Sequence, residues 1–159
     1  MVPPRGIRGD RPRLRGDKTL KPRLNKPAKK RILFVCIGNA CRSQMAEAFA
    51  RAYGPDVLSA HSAGLAPAVG LPPLTRRVLA EKNIPTEGQF PKGLQSFAGE
   101  PFEVVANLSG RPLPPGIATA RVVEWDVRDP IGQSESVYRA VAAQIEDLVM
   151  RLILELRGS

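Results

Sequence analysis

The sequence predicts an α/β fold, a three-layer αβα sandwich built on a four-stranded parallel sheet. Three observations predict it. Short β-favouring apolar runs recur along the chain, helix-forming segments with apolar stripes lie between several of them, and the first run enters the first helix through a cysteine-bearing loop.

The first run, Ile32-Leu33-Phe34-Val35, is uninterrupted by polar residues and bounded by Lys/Arg before and a Gly-Asn turn after. That is the pattern of a parallel strand buried on both faces. Ser43 precedes a stretch of strong helix formers that continues to Tyr53 and stops at Gly54-Pro55, with Met45, Phe49 and Ala52 on one stripe. Residues 57–61 read as a second strand closed by Ala63-Gly64, and residues 72–82 as a second helix with Leu74, Val78 and Leu79 facing inward. Residues 103–108 and 121–125 supply two more strands, separated by the Pro/Gly-rich segment 109–116. Residues 136–156 repeat Val137, Val141, Ile145, Leu148, Leu152 and Leu156 at three- and four-residue steps, the mark of a long amphipathic helix. In such a sheet, ligands bind at the C-terminal edge of the strands.

With 159 residues, 43% hydrophobic and 25% charged, the chain has the size and composition of one globular domain and excludes fibrous and membrane-spanning classes. Its net charge of +9 is unevenly placed, since residues 1–30 hold 11 of the 24 Lys+Arg and 2 of the 15 Asp+Glu, leaving the rest neutral. Residues 1–30 also hold five prolines and few large apolar residues, and are expected to be a disordered basic tail. Residues 31–159 are expected to form the catalytic domain. Nucleic acid is expected to be touched, if at all, only through the tail. The tripeptide Arg-Gly-Asp occurs twice there, at residues 8–10 and 15–17, and is given no adhesive role. Two cysteines five positions apart offer no disulfide framework, and neither a secretory apolar run nor a membrane-length stretch occurs, so a cytoplasmic protein without a membrane partner is expected.

The chemistry concentrates in Cys36-Ile37-Gly38-Asn39-Ala40-Cys41-Arg42-Ser43. A cysteine followed six places later by arginine is weak alone, but here the loop ends a strand and opens a helix, where free N–H groups and the helix dipole attract an anion. Gly38 and Asn39 are expected to take left-handed backbone angles that curl Ile37, Gly38, Asn39, Ala40, Cys41, Arg42 and Ser43 around a phosphate. Arg42 adds a planar fork for two oxygens. In that field the Cys36 sulfur is expected to be a thiolate nucleophile. Ser43 is expected either to donate to that sulfur or to cap the helix, two roles that are compatible. Asp129, followed by Pro130 beyond the last strand, is the expected proton donor to the departing oxygen, with Asp126 as its competitor. One histidine and two loop cysteines cannot assemble a zinc set, so neither metal nor cofactor is expected. His61 is read as packed or superficial, and Trp125 as core or pocket border.

The loop from Cys36 to Ser43 and the later Asp129-Pro130 resemble the low-molecular-weight protein tyrosine phosphatase family, whose fold is shared with thioredoxin-coupled arsenate reductases; the resemblance spans about residues 31–157. It implies a phosphocysteine on Cys36, oxyanion binding by Arg42 and the loop amides, Asn39 as loop brace, Ser43 as thiolate partner and Asp129 as acid then base. It also implies a reversible disulfide between Cys41 and the nucleophile, against a plain reading of Cys41 as small filler. The main expectation is therefore a phosphomonoester hydrolase, by the resemblance a protein tyrosine phosphatase working through a phosphocysteine, acting on a phosphorylated protein or a small phosphoester. An arsenate reductase using an external thiol, and a non-catalytic phosphate-binding module, are the alternatives. Three features bear on the choice. Ile131-Gly132 stand where the phosphatases carry aromatic residues, Gln44 resembles the reductase branch, and residues 108–116 lack the cysteines of the reductases' internal relay.

Overall fold

The computed structural model describes residues 28–158. Of the disordered tail expected over residues 1–30, residues 1–27 lie outside the described residues. Eight elements follow in order: β1 (Lys30–Cys36), α1 (Arg42–Tyr53), β2 (Leu58–Gly64), α2 (Pro73–Glu81), a 3-10 turn (Leu94–Phe97), β3 (Val104–Asn107), β4 (Val122–Glu124) and α3 (Glu135–Arg157). Every strand and helix expected from the sequence is present. β1 starts at Lys30, within the segment 1–30 that was expected to be the tail.

The sheet is parallel throughout, with strand order β2-β1-β3-β4. Ile32, Leu33, Phe34 and Val35 are at most 1% exposed because β1 has a strand on either side and a core on either face. Side chains alternate across the pleat. Ile32, Phe34 and Cys36 join the main core with Met45, Phe49, Val78, Leu79, Ile145 and Ile153, whereas Leu33 and Val35 join a smaller core with Phe102 and Val105. All three α-helices serve the first core. The third layer is thin, its apolar cover coming from the 3-10 turn residues Leu94 and Phe97 and the loop residues Leu113 and Ile117. Burying a side chain such as Phe34 contributes about 1.5–3 kcal/mol.

After β1 the chain builds β2 on one side, then crosses to build β3 on the other. The reversal puts a crevice at the C-terminal end of β1, where the Cys36 loop emerges. α1 lies over this point, and its first nine residues, Arg42 to Ala50, are all buried. Ala52, expected inward, is exposed, while its neighbours Tyr53 and Gly54 face the core. His61 packs edge-on against Phe97 and Phe102 and contacts Ser59 Oγ at 3.1 Å, a structural setting. Trp125 packs against Phe34, 5.8 Å between ring centroids, on the core side.

Candidate active site

The loop after β1 is shaped by bonds to its carbonyls. Leu65, Ala66 and Ala68 donate their N–H groups to the carbonyls of Cys36, Ile37 and Gly38 at 3.0, 2.8 and 2.9 Å. Gln44 Nε2 donates to the Asn39 carbonyl at 3.1 Å, and Thr75 Oγ1 to that of Ala40 at 3.0 Å. A trans peptide points its N–H opposite to the preceding carbonyl, and no cis bond occurs among the described residues. Five carbonyls fastened outward therefore turn the following N–H groups toward one pocket.

That pocket has a volume of about 260 Å³ and is lined by Cys36, Ile37, Gly38, Ala40, Cys41, Arg42, Ala68, Asp129 and Ile131. The structure brings together residues from three parts of the chain. Asn39 and Ser43 are not in the lining. Both are fully buried behind it, where Asn39 Nδ2 donates to Ser43 Oγ and Ser43 Oγ in turn contacts the Cys36 sulfur. Only Asn39 takes the left-handed conformation, with φ 49°; Gly38 does not, so the curl of the loop comes from one residue rather than two. The helix N-cap is Cys41, not Ser43. Ser43 sits one residue inside the helix, which leaves its hydroxyl free to reach the Cys36 sulfur at 2.9 Å.

Arg42 is 5% exposed. One guanidinium nitrogen donates to the carbonyls of Leu108 at 2.6 Å and Val127 at 3.1 Å, and the other lies 3.5 Å from Asp129 Oδ2. These anchors come from the ends of β3 and of the segment after β4, so the fork is set by the sheet edge. Asp129 Oδ1 accepts from the Ile131 N–H at 3.1 Å, which fixes the carboxylate at the mouth. Asp126 is exposed and absent from the lining.

Cys41 is buried and unbridged, as is Cys36. Its sulfur accepts from Thr75 Oγ1 at 3.3 Å and contacts Tyr138 Oη at 3.5 Å. Burial pushes the Cys41 thiol above its ordinary value, outweighing the lowering by those two hydroxyls, and nearby Cys36 and Asp129 raise it further. Cys41 is therefore a thiol at neutral pH.

Sequence reasoning gave no place in the site to Thr75, Gln44, Gln89 or Gly64. Thr75 had a signal, since it shares a helix face with Val78 and Leu79 and so carries a hydroxyl inward. Gly64 allows close contact: a Cβ there would lie 2.6 Å from the Ile37 carbonyl oxygen and 2.8 Å from the Asn39 nitrogen. Its φ is not left-handed, so space alone demands glycine. Gly64→Ala is expected to destabilise the fold by about 1–3 kcal/mol, measured by urea denaturation, and a change under about 0.5 kcal/mol would refute the steric account.

A second hollow of about 210 Å³ lies on the thin side of the sheet, with Leu33, Leu94, Phe97, Phe102 and Ile117 in its lining. Its one carboxylate, Glu100, is paired with Arg31 at 2.6 Å, and it holds no nucleophile. Among the described residues no group of three or more His, Cys, Asp or Glu could hold a metal ion, and no helix is long and apolar enough to cross a membrane.

A parallel sheet whose first strand-helix loop surrounds a small pocket with a cysteine, an arginine and backbone amides defines the class of protein. The family described as low molecular weight phosphotyrosine protein phosphatase matches residues 31–113, and the chain belongs to that family. It is 35% identical to a glutaredoxin arsenate reductase from Synechocystis sp. over 80% of this chain and 98% of that protein. It is 33% identical to arsenate reductase 1 from Bacillus cereus, over 74% of this chain and 89% of that one. Among solved structures, an arsenate reductase in the phosphate binding state superposes with a TM-score of 0.74 at 34% identity, covering 80% of this chain and 98% of the other. A tyrosine phosphatase from Erwinia amylovora, at 21% identity and TM-score 0.68, shares the fold.

These likenesses overturn the main expectation of a phosphotyrosine hydrolase. The relatives of substantial identity bear the name arsenate reductase, and the chain covers nearly all of their length. The pocket agrees in physical terms, since no aromatic ring lines it to wall a phenyl group, and Ile131 stands at its mouth. The chain is an enzyme of this fold. A phosphoprotein substrate has no support.

Proposed function

We propose that the chain is an arsenate reductase that draws its electrons from an external thiol. The observation that carries this reading is the likeness to arsenate reductases over their whole length, combined with a tetrahedral-anion pocket that lacks an aromatic wall. Arsenate has the shape and charge of phosphate, so loop amides and the Arg42 fork suit it equally.

Cys36, as a thiolate, attacks the arsenic of bound arsenate. A sulfur–arsenic bond forms and an As–O bond breaks, the oxygen departing as water with a proton from Asp129. Arg42 and the loop amides hold the remaining oxygens. An external thiolate then attacks the Cys36 sulfur. A disulfide forms, the sulfur–arsenic bond breaks, and its electron pair stays on arsenic, which falls from As(V) to As(III) and leaves as arsenite. A second thiol reduces the mixed disulfide and releases the Cys36 thiolate. Two thiols become one disulfide for each arsenate reduced.

An external source is favoured by what surrounds Cys36. The other cysteine, Cys41, is held in the unreactive protonated form, and residues 108–116 contain none. That segment is also fastened: Ser109 Oγ donates to Asn107 Oδ1 at 2.6 Å and accepts from the Arg111 N–H at 3.0 Å. Glutathione or a glutaredoxin-type thiol is the reductant class, by likeness to the Synechocystis protein. Free cysteines and a thiol-dependent reaction suit the cytoplasm.

The test is arsenite release from arsenate by the purified protein with glutathione and glutaredoxin. One arsenite for every two thiols oxidised is expected, with none when thiol is withheld. Release no faster than the thiols alone achieve would sink the assignment.

A further inference from the structure

A chain of side-chain amides leads from the loop before the 3-10 turn to the nucleophile. Gln89 Nε2 donates to Gln44 Oε1 at 2.7 Å and to the Gln44 carbonyl at 3.1 Å. Gln44 Nε2 lies within 3.1 Å of three acceptors: the Asn39 carbonyl at 3.1 Å, Asn39 Oδ1 at 3.0 Å and the Phe90 carbonyl at 2.9 Å. Asn39 Oδ1 receives a second donor, the Lys92 N–H at 2.9 Å. Asn39 Nδ2 in turn donates to Ser43 Oγ at 2.7 Å, and Ser43 Oγ contacts Cys36 Sγ at 2.9 Å.

Each link has one possible direction. Two donors converge on Asn39 Oδ1, so that atom is the oxygen and the amide cannot turn over without facing two N–H groups with a third. The amide nitrogen must then face Ser43. A serine oxygen that accepts from Asn39 has its single proton left for the sulfur. Were Asn39 to turn over, its oxygen would claim that proton and the sulfur would lose its hydroxyl donor.

Gln89 stands at the head of this chain and is 8% exposed, yet its Oε1 is buried with no partner. Reversing its amide would bring that oxygen against two oxygens of Gln44, so the unpaired acceptor is a fixed consequence of the donation.

We propose that Gln44 and Gln89 are positioning residues that aim the Ser43 hydroxyl at the Cys36 sulfur by locking the orientation of the Asn39 amide. This rests on reading Cys36 as the nucleophile. The donor stabilises the sulfur as an anion before attack on arsenate, and again when it is expelled from the mixed disulfide. Neither glutamine lines the pocket, and Gln44 bears on it only through the Asn39 carbonyl and amide that it holds.

The experiment compares Gln89→Met, which removes the donor with little change of volume, and Gln89→Glu, which puts oxygen where the donor was. Alkylation of Cys36 by iodoacetamide at pH 7 is followed by peptide-resolved mass spectrometry, alongside kcat and KM for arsenate with glutathione and glutaredoxin. Gln89→Met is expected to slow both alkylation and kcat about tenfold with KM within about twofold of wild type, and Gln89→Glu to slow them more. A purely structural role predicts the opposite for alkylation, because a loosened loop exposes a sulfur that is 2% exposed in the intact site. Wild-type or faster alkylation in Gln89→Met overturns the relay even if Gln89→Glu fails to fold. If Cys36→Ser still abolishes turnover in that case, the reading of Cys36 survives and only the relay is lost.

Discussion

Cys36→Ser is expected to reduce thiol-dependent arsenite release to below about one thousandth of wild type, the scale on which removing a nucleophile acts. The loss is chemical rather than structural. Serine is smaller than cysteine by little, the sulfur makes its one short contact with Ser43 Oγ at 2.9 Å, and a hydroxyl in its place can keep that bond. What disappears is the sulfur that carries arsenic and then a disulfide. The fold should persist, with urea midpoint and far-UV circular dichroism close to wild type. Arsenate binding, measured by calorimetry, should also persist, since the amides and Arg42 are untouched. Turnover above a few per cent of wild type would mean that the reducing thiol attacks bound arsenate directly, and the covalent scheme would fail.

Arg42→Lys is expected to lower kcat/KM for arsenate by about 10²–10³, the range for losing one preorganised donor to a developing oxyanion. The charge is retained, so the prediction isolates geometry. Arg42 has two tasks: one nitrogen of its fork is held by the Leu108 and Val127 carbonyls, which steadies the plane against the pocket, while the other lies near Asp129. A lysine ammonium has no plane to steady and cannot bond both carbonyls and two anion oxygens together. Steady-state kinetics with arsenate and glutaredoxin provide the measurement. A decrease of less than tenfold would show that positive charge alone suffices.

The elements most legible in the sequence were those whose neighbours are local or whose burial is total. β1 was readable because a strand buried on both faces has no polar position, and α3 because its apolar stripe recurs through 23 residues. The loop from Cys36 to Ser43 was readable because strand end, turn residues and helix start are contiguous. The wrong details concerned positions where a tertiary partner outweighs local preference. Ser43 has good capping propensity, yet its hydroxyl is drawn to a sulfur seven residues earlier, and Cys41 takes the cap position without a side-chain bond. Gly38 has every freedom to be left-handed, yet Asn39 takes that conformation because Gln44, Lys92 and Ser43 hold its amide. Gln89 gave no signal, since a polar residue in a Gly/Pro-bounded loop looks like any solvated one.

The substrate was where the two readings parted. An anion site beside a cysteine follows from residues adjacent in the chain, so sequence alone determined the nucleophile candidate and the direction of the sheet, while its main reading of the reaction, phosphoester hydrolysis, was overturned. Which groups surround the anion depends on chain segments more than 60 residues away: the Leu108 and Val127 carbonyls that orient Arg42, and Asp129 and Ile131 at the mouth. Those groups meet the loop only because β3 and β4 pack beside β1 in parallel. Contacts of that range leave no periodicity to read, and only the assembled sheet edge decides them.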